Sequence, residues 1–327
     1  MVSTIPFIVK CCLIKSERHR PDAAAMLIHN FVTNPHSSTL LTQRLLYYRR
    51  QLESTAKMLI LMITELMVML SSLEDYRVAS LPSKFFYIPN FINEEEEKDL
   101  LKHIYASPLP KWVALRDRRL QNWGGIPHVK GMLVEKIPQW LQVYVNRVSA
   151  LNLFHENKAN HALVNEYECG QGILPHHDGP LYYPVVATIN LNSYGVLDFY
   201  TPLDRDTDQM EQSTLLEDRY IGSVYLERCS LNIVSEELYT HYMHGIAQRE
   251  TDLLIQWESN SMSSVKTVDN TAVIHNWSAS NLNVIDDDDD GDSQSQLLRQ
   301  RGKRVSVTIR YVPNVSKLSV KDLLFKK

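Results

Sequence analysis

An α+β fold, with a sandwich or barrel of strands at its centre and helices on its N-terminal flank, is what this 327-residue chain predicts. Three observations carry that reading. Two segments of helical period lie before residue 150, and short extended segments dominate after residue 160. The last of these segments, near the C-terminus, alternates polar and apolar residues without a break.

Residues 1–76 stand apart in composition. Arg18, Arg20, Arg44, Arg49 and Arg50 outnumber Glu17 and Asp22, with Ser and Thr between them, and we read the stretch as a helical or partly disordered extension. An acid-poor start bearing Arg and Ser is a transit-peptide feature, but Glu17 and the Pro21-Asp22 break argue against a clean one. The apolar run from Met58 to Leu70 is interrupted by Glu65 and is shorter than the ~20 residues that span a bilayer, so it reads as a buried or amphipathic helix and no membrane is expected.

The organised domain is expected over residues 77–327. Phe85 to Ile88 is a short strand closed by Pro89. A helix then starts at an Asn93 cap, with negative charge from Glu94 to Glu97 in its first turn, Glu96 in capping-box position, and Leu100, Leu101 and Ile104 as its apolar residues. A second helix is entered at Pro138 and buries Trp140, Leu141, Tyr144, Val145 and Val148. Strands are expected at 162–167, 185–191, 196–200, 230–234 and 304–312. The stretch 258–300, rich in Ser and Asn and holding the run Asp286 to Asp290, breaks this rhythm and reads as a solvated acidic loop, because like charges repel.

A net charge of −4 excludes a globally basic nucleic-acid binder and leaves only a local strip, Lys111, Arg116, Arg118 and Arg119, to meet phosphates. Cys11, Cys12, Cys169 and Cys229 form neither a disulfide framework nor a zinc-finger spacing. An intracellular reducing compartment, cytoplasmic and nuclear, is expected.

His176 and Asp178 are two residues apart, so on a strand they share a face and offer one imidazole and one carboxylate, while His177 points the other way. A second imidazole completes the two-histidine, one-carboxylate triad that suits Fe(II) and leaves positions open for a bidentate co-substrate and O₂. Spacing does not exclude His241 from that role; His244 is preferred because Gly245 beside it allows close backbone approach. Among twelve histidines an H-x-D pair arises easily by chance, so it needs support. Support comes from Arg304, Ser306, Thr308 and Arg310, which alternate with Val305, Val307, Ile309 and Tyr311. Such a strand commonly turns its polar face to water. Two arginines framing two hydroxyls also make a socket for a dicarboxylate, the form of 2-oxoglutarate.

Four motifs in order, Asn165-Glu166-Tyr167, His176-His177-Asp178 followed by Gly179 to Pro184, His244-Gly245-Ile246, and Arg304 to Arg310, make the chain resemble the AlkB family of Fe(II)/2-oxoglutarate dioxygenases over roughly residues 77–327. The resemblance implies a double-stranded β-helix (jelly roll), with Fe(II), 2-oxoglutarate and O₂ as its requirements. It also implies that Asn165 and Tyr167 hydrogen-bond 2-oxoglutarate, that Arg304 pairs with the distal carboxylate, and that Arg310 lines the co-substrate end of the pocket. Ser306 departs from the Asn of the bacterial member. The implied reaction is oxidative dealkylation of DNA or RNA, with the alkyl group leaving as an aldehyde and the base flipped out of its stack. Trp123, Tyr182 and Tyr183 are then the candidate aromatics, Trp112 reads as core, and Arg118 and Arg119 could touch phosphates. The same chemistry on a protein or small molecule is an alternative. A non-catalytic binding module is another, and the intact triad and both arginines speak against it.

Overall fold

The computed structural model describes residues 46–52, 73–202, 215–256, 271–277 and 296–319, and divides the chain into a unit of residues Met1–Leu70 and one of Ser71–Lys327. In the first unit residues 46–52 are helical; the Met58–Leu70 run lies outside the described residues. No helix among the described residues is long and apolar enough to cross a membrane.

Among its described residues the second unit carries three α-helices, α1 (Glu94–Tyr105), α2 (Gln139–Ser149) and α3 (Glu237–Thr240). Helix α1 begins as its sequence dictates: the Asn93 side chain accepts from the Glu95 and Glu96 amides, and Glu96 returns a bond to the Asn93 amide. Pro138 stands immediately before α2, whose Leu141, Tyr144, Val145 and Val148 are buried while Trp140 is only partly so.

Its strands in chain order are β1 (Phe85–Ile88), β2 (Val113–Ala114), β3 (Arg119–Trp123), β4 (Gly125–Ile126), β5 (Met132–Val134), β6 (His161–Tyr167), β7 (Ile173–His176), β8 (Val185–Leu191) and β9 (Gly195–Tyr200). After them come β10 (Tyr220–Leu226), β11 (Leu231–Ser235), β12 (Met243–Ile246), β13 (Thr251–Gln256), β14 (Thr271–Ile274), β15 (Gln296–Gln300), β16 (Arg304–Arg310) and β17 (Val315–Ser319). A seven-stranded sheet runs β1-β11-β8-β16-β6-β3-β2, a second runs β15-β13-β14-β10-β9-β12-β7, and β17-β5-β4 form a small third.

The two large sheets meet face to face through an apolar layer in which Phe85, Tyr87, Val186 and Val234 of the first pack on Leu197, Phe199, Val224 and Ile246 of the second. Helices α1 and α2 cover the outer face of the first sheet, with Leu100, Ile104, Leu141 and Val145 against Val164, Ile189, Val307 and Ile309. This is the jelly roll with flanking helices that the resemblance implied.

One expectation is corrected. The stretch 258–300 is not a continuous solvated loop: β14 pairs in parallel with β13, and β15 pairs antiparallel with β13 on its other side. Both strands are too short to show a period; the Asp286–Asp290 run itself lies outside the described residues. The polar face of β16 is turned away from water, as a dicarboxylate socket on it requires. Every residue of that strand is buried, its apolar face under the helices and its polar face between the sheets.

Candidate metal centre and co-substrate socket

The inter-sheet space is apolar at one end and polar at the other, and strand register decides where the change falls. Strand β16 lies between β6 and β8, so Arg304, Ser306, Thr308 and Arg310 share a face with Tyr167, Asn165, Leu163 and His161 on one side. Asn190 and Thr188 flank Ser306 and Thr308 on the other.

From the opposite sheet come the candidate ligands. Strands β7 and β12 pair antiparallel with His176 directly across from His244, and the two rings lie 4.7 Å apart. Gly245 lets the strands approach: a Cβ there would stand 2.9 Å from the Ile173 carbonyl oxygen and the Pro175 nitrogen. Asp178 follows β7, and one ligand atom from each of His176, Asp178 and His244 lies within 4.8 Å of the others. His241 is exposed at the end of α3, and its carbonyl is hydrogen-bonded by His177 Nε2 at 2.8 Å. The competing histidine is exposed and is not a member of the cluster.

Local bonds prepare each member for a metal. His176 Nδ1 lies 2.9 Å from the Leu174 carbonyl oxygen; only a protonated Nδ1 can bond there, which leaves Nε2 with its lone pair free. Burial acts to raise the Asp178 carboxyl, but Arg310, His244 and His176 outweigh it and hold it below the usual carboxylate range. Burial pushes His244 down to about 4, so its ring is neutral near neutral pH. Asp178 Oδ2 and His244 Nδ1 are both buried without a hydrogen-bond partner. Two imidazoles, a carboxylate and unpaired buried atoms fit a divalent iron site.

The socket is equally underfilled in charge. Arg304 is 6% exposed, its Nη2 donates to the neutral Asn190 Oδ1 at 2.6 Å, and its Nε is buried without a partner. Burial lowers its guanidinium to about 10, still a cation at neutral pH. Room for it is made by Gly195, where a Cβ would stand 2.6 Å from Arg304 Cδ and Nε. Asn165 Oδ1 is also buried and unpaired. A buried cation beside a buried amide and two hydroxyls could hold a carboxylate.

Of the five candidate substrate residues, two stand at this cavity. The Arg310 guanidinium lies 4.4 Å from the centre of the Tyr182 ring. Arg118 immediately precedes β3; carried one residue back, the β3 alternation sets it on the inner face of the first sheet, where its charge acts on the Tyr167 phenol. The other three are corrected, and strand parity is the reason in two cases. Arg119 and Trp123 share the outer face: Arg119 bonds Glu166 at 2.5 and 3.0 Å, and Trp123 packs edge-on against Trp140. Tyr183 sits among Phe154 and Tyr311, where it closes the core under the helices. Trp112 also packs against that core, beneath Arg119. Sequence reasoning missed Asn190, which orients Arg304, and His161, which is wholly buried beside Arg310 with both ring nitrogens unpaired. The alternation of Thr188 and Asn190 with Ala187, Ile189 and Leu191 was the available signal for the first.

Comparison with known proteins agrees with this geometry. The 2OG-Fe(II) oxygenase superfamily profile matches residues 111–310. The chain is 42% identical over 246 residues to "Probable RNA/DNA demethylase ALKBH6" of Danio rerio, covering 74% of this chain and 92% of that protein. It is 28% identical over 174 residues to uncharacterized protein L905 of Acanthamoeba polyphaga mimivirus, covering 51% of this chain and 75% of that one. The solved structure of OsALKBH1 superposes with a TM-score of 0.42 at 12% identity, over 71% of this chain and 98% of that chain. The chain therefore belongs to the 2OG-Fe(II) oxygenase superfamily, as an AlkB homologue whose chemistry uses Fe(II), 2-oxoglutarate and O₂.

Proposed function

We propose that this oxygenase dealkylates bases of DNA or RNA, with His176, Asp178 and His244 holding the iron and with Asn165, Tyr167, Arg304, Ser306, Thr308 and Arg310 holding 2-oxoglutarate. The observation that carries the residue assignment is the meeting of three ligand atoms within 4.8 Å at one end of a buried polar strand face. The similarity to a protein named as a probable RNA/DNA demethylase supports the substrate class.

Bound there, iron supplies oxidation of a C–H bond next to nitrogen, driven by O₂ and the decarboxylation of 2-oxoglutarate. The chain's own residues prepare that chemistry. The Leu174 carbonyl fixes the His176 tautomer and Arg310 keeps Asp178 ionised. Arg304 gives the distal carboxylate a cation in a water-poor site, where its charge counts for more than at the surface. Tyr182, held against Arg310, presents a planar face at the metal end of the cavity. We infer a cytoplasmic and nuclear location from the substrate class and from Cys169 and Cys229 being free thiols.

The test has two arms. In the first, 2-oxoglutarate is titrated into the Mn(II)-loaded protein and its Arg304→Ala variant, which should bind it roughly a hundredfold more weakly while Mn(II) affinity is kept. Equal affinities would remove Arg304 from the socket. In the second, substrate-dependent succinate and formaldehyde release is measured across methylated DNA, RNA and peptides. Turnover with peptides alone would overturn the nucleic-acid reading.

A further inference from the structure

The inner face of the first sheet carries more guanidinium than the two socket arginines. Strands β2 and β3 form a hairpin in which Val113 faces Leu120 and Ala114 faces Arg119, and the Leu115 amide donates to the Arg118 carbonyl at 2.8 Å. Strand β3 then lies along β6 with Arg119 opposite Glu166 and Leu120 opposite Asn165. One step back in the same register sets Arg118 beside Tyr167, and alternation turns the two arginines of the pair to opposite faces.

Their partners differ accordingly. Arg119 is committed on the outer face, bonded twice to the buried Glu166 and stacked over Trp112 at 4.2 Å. The Arg118 side chain, half-buried on the inner face, has no ion pair or hydrogen bond among the described residues, and its Nε is enclosed without a partner. The Tyr167 phenol registers the same neighbourhood: burial raises it, while Arg304, Arg118 and Arg310 pull it down. Three guanidiniums thus face one carboxylate, that of Asp178, which Arg310 already bonds. The surplus of two positive charges, before the metal's own charge is counted, calls for a dianion rather than a neutral group.

We propose that Arg118 is a second guanidinium on the dicarboxylate co-substrate, reaching it from the β2–β3 hairpin beside Tyr167, so that co-substrate binding also fixes that hairpin. This rests on reading the cavity as the 2-oxoglutarate socket. A nucleic-acid phosphate is the less fitting partner, because Arg118 belongs to the inward face while phosphates run along the outside of a strand whose base has been flipped in.

The experiment is an anaerobic titration of 2-oxoglutarate into the full-length Mn(II)-loaded protein and its Arg118→Gln, Arg118→Lys, Arg119→Gln and Arg304→Ala variants. It is read together with amide hydrogen exchange over residues 113–123. Arg118→Gln should weaken binding roughly tenfold to a hundredfold, and Arg118→Lys should recover part of it. Arg119→Gln should lower the thermal midpoint without changing affinity. 2-Oxoglutarate should slow exchange in the hairpin of the wild type and not of Arg118→Gln. Wild-type affinity in Arg118→Gln overturns the proposal, and a loss of methylated-oligonucleotide affinity in the same variant would reassign Arg118 to a substrate phosphate. If Arg304→Ala also binds as the wild type does, the socket reading itself falls.

Discussion

Arg310 Nη2 donates to Asp178 Oδ1 at 2.9 Å, joining the last residue of β16 to the candidate carboxylate ligand that follows β7 in the other sheet. This bond crosses the jelly roll. It occupies Oδ1 and leaves Oδ2 buried and unpaired. Arg310→Ala should weaken Fe(II) or Mn(II) binding on the order of 10–100-fold, as losses of a group that orients a ligand do. The deficit should grow as pH falls, since without the cation burial raises the carboxyl toward protonation. Metal titrations at two pH values check this; pH-independent wild-type affinity in the variant would show that Arg310 does not govern Asp178.

The two histidines that compete in the sequence are separable. His244→Ala should abolish stoichiometric metal binding and the absorbance of a bound Co(II) probe, whereas His241→Ala should leave both unchanged, because His241 is exposed and turned toward solvent. Loss in the His241 variant with retention in the His244 variant would reverse the assignment.

Gly195 tests whether the Arg304 pose matters. A Cβ at 2.6 Å from Arg304 Cδ and Nε must displace that side chain, at a cost on the order of 1–3 kcal/mol. Gly195→Ala should therefore raise the 2-oxoglutarate requirement with metal affinity retained. Wild-type co-substrate affinity in this variant would mean that the socket tolerates the shift.

Burial, assisted by Arg310, holds His161 down to about 3. The unfolded chain protonates this residue near pH 6.5, so it binds more protons than the folded state between about 6.5 and 3. Stability should be intact above that window and fall through it as acid is added, by about 1.4 kcal/mol per pH unit for this one group. His161→Leu should flatten the dependence of the thermal midpoint on pH. An unaltered slope would mean that His161 does not control the acid limb.

Removing residues 1–70 should leave Mn(II) and 2-oxoglutarate affinity unchanged, because the candidate ligands and socket residues all belong to the second unit. Calorimetry of the truncated chain measures this. A large loss of both affinities would make the first unit part of the site.

Much of the fold and of the site was legible, for reasons particular residues make plain. Asn93 and Glu96 mark the start of α1 by local hydrogen bonds, and Phe85–Ile88 and Val185–Leu191 are apolar enough to be strands anywhere. His176, Asp178, His244 and the alternating Arg304–Arg310 were visible because metal and carboxylate ligands demand rare residue types at fixed parity. The pieces of β2 to β5 and β14 were not visible. Two to five residues carry no period, and they become strands only when a neighbour supplies hydrogen bonds.

By itself the sequence determined the local signals: the helix caps, the strand parity within each motif, and the set of side chains able to bind iron and a dianion. Tertiary structure alone decided which side of each strand became an interior. Arg118 and Arg119 are adjacent and chemically alike, yet pairing of β3 with β6 buries one arginine's partner outside the sheet, while the same alternation carried one residue back sets the other on the inner face near Tyr167. The polar face of Arg304–Arg310 likewise became a buried socket instead of a wetted surface because a second sheet closed over it. A two-residue strand period defines two faces; only the layers that later pack on them assign a solvent, a core or a site to each.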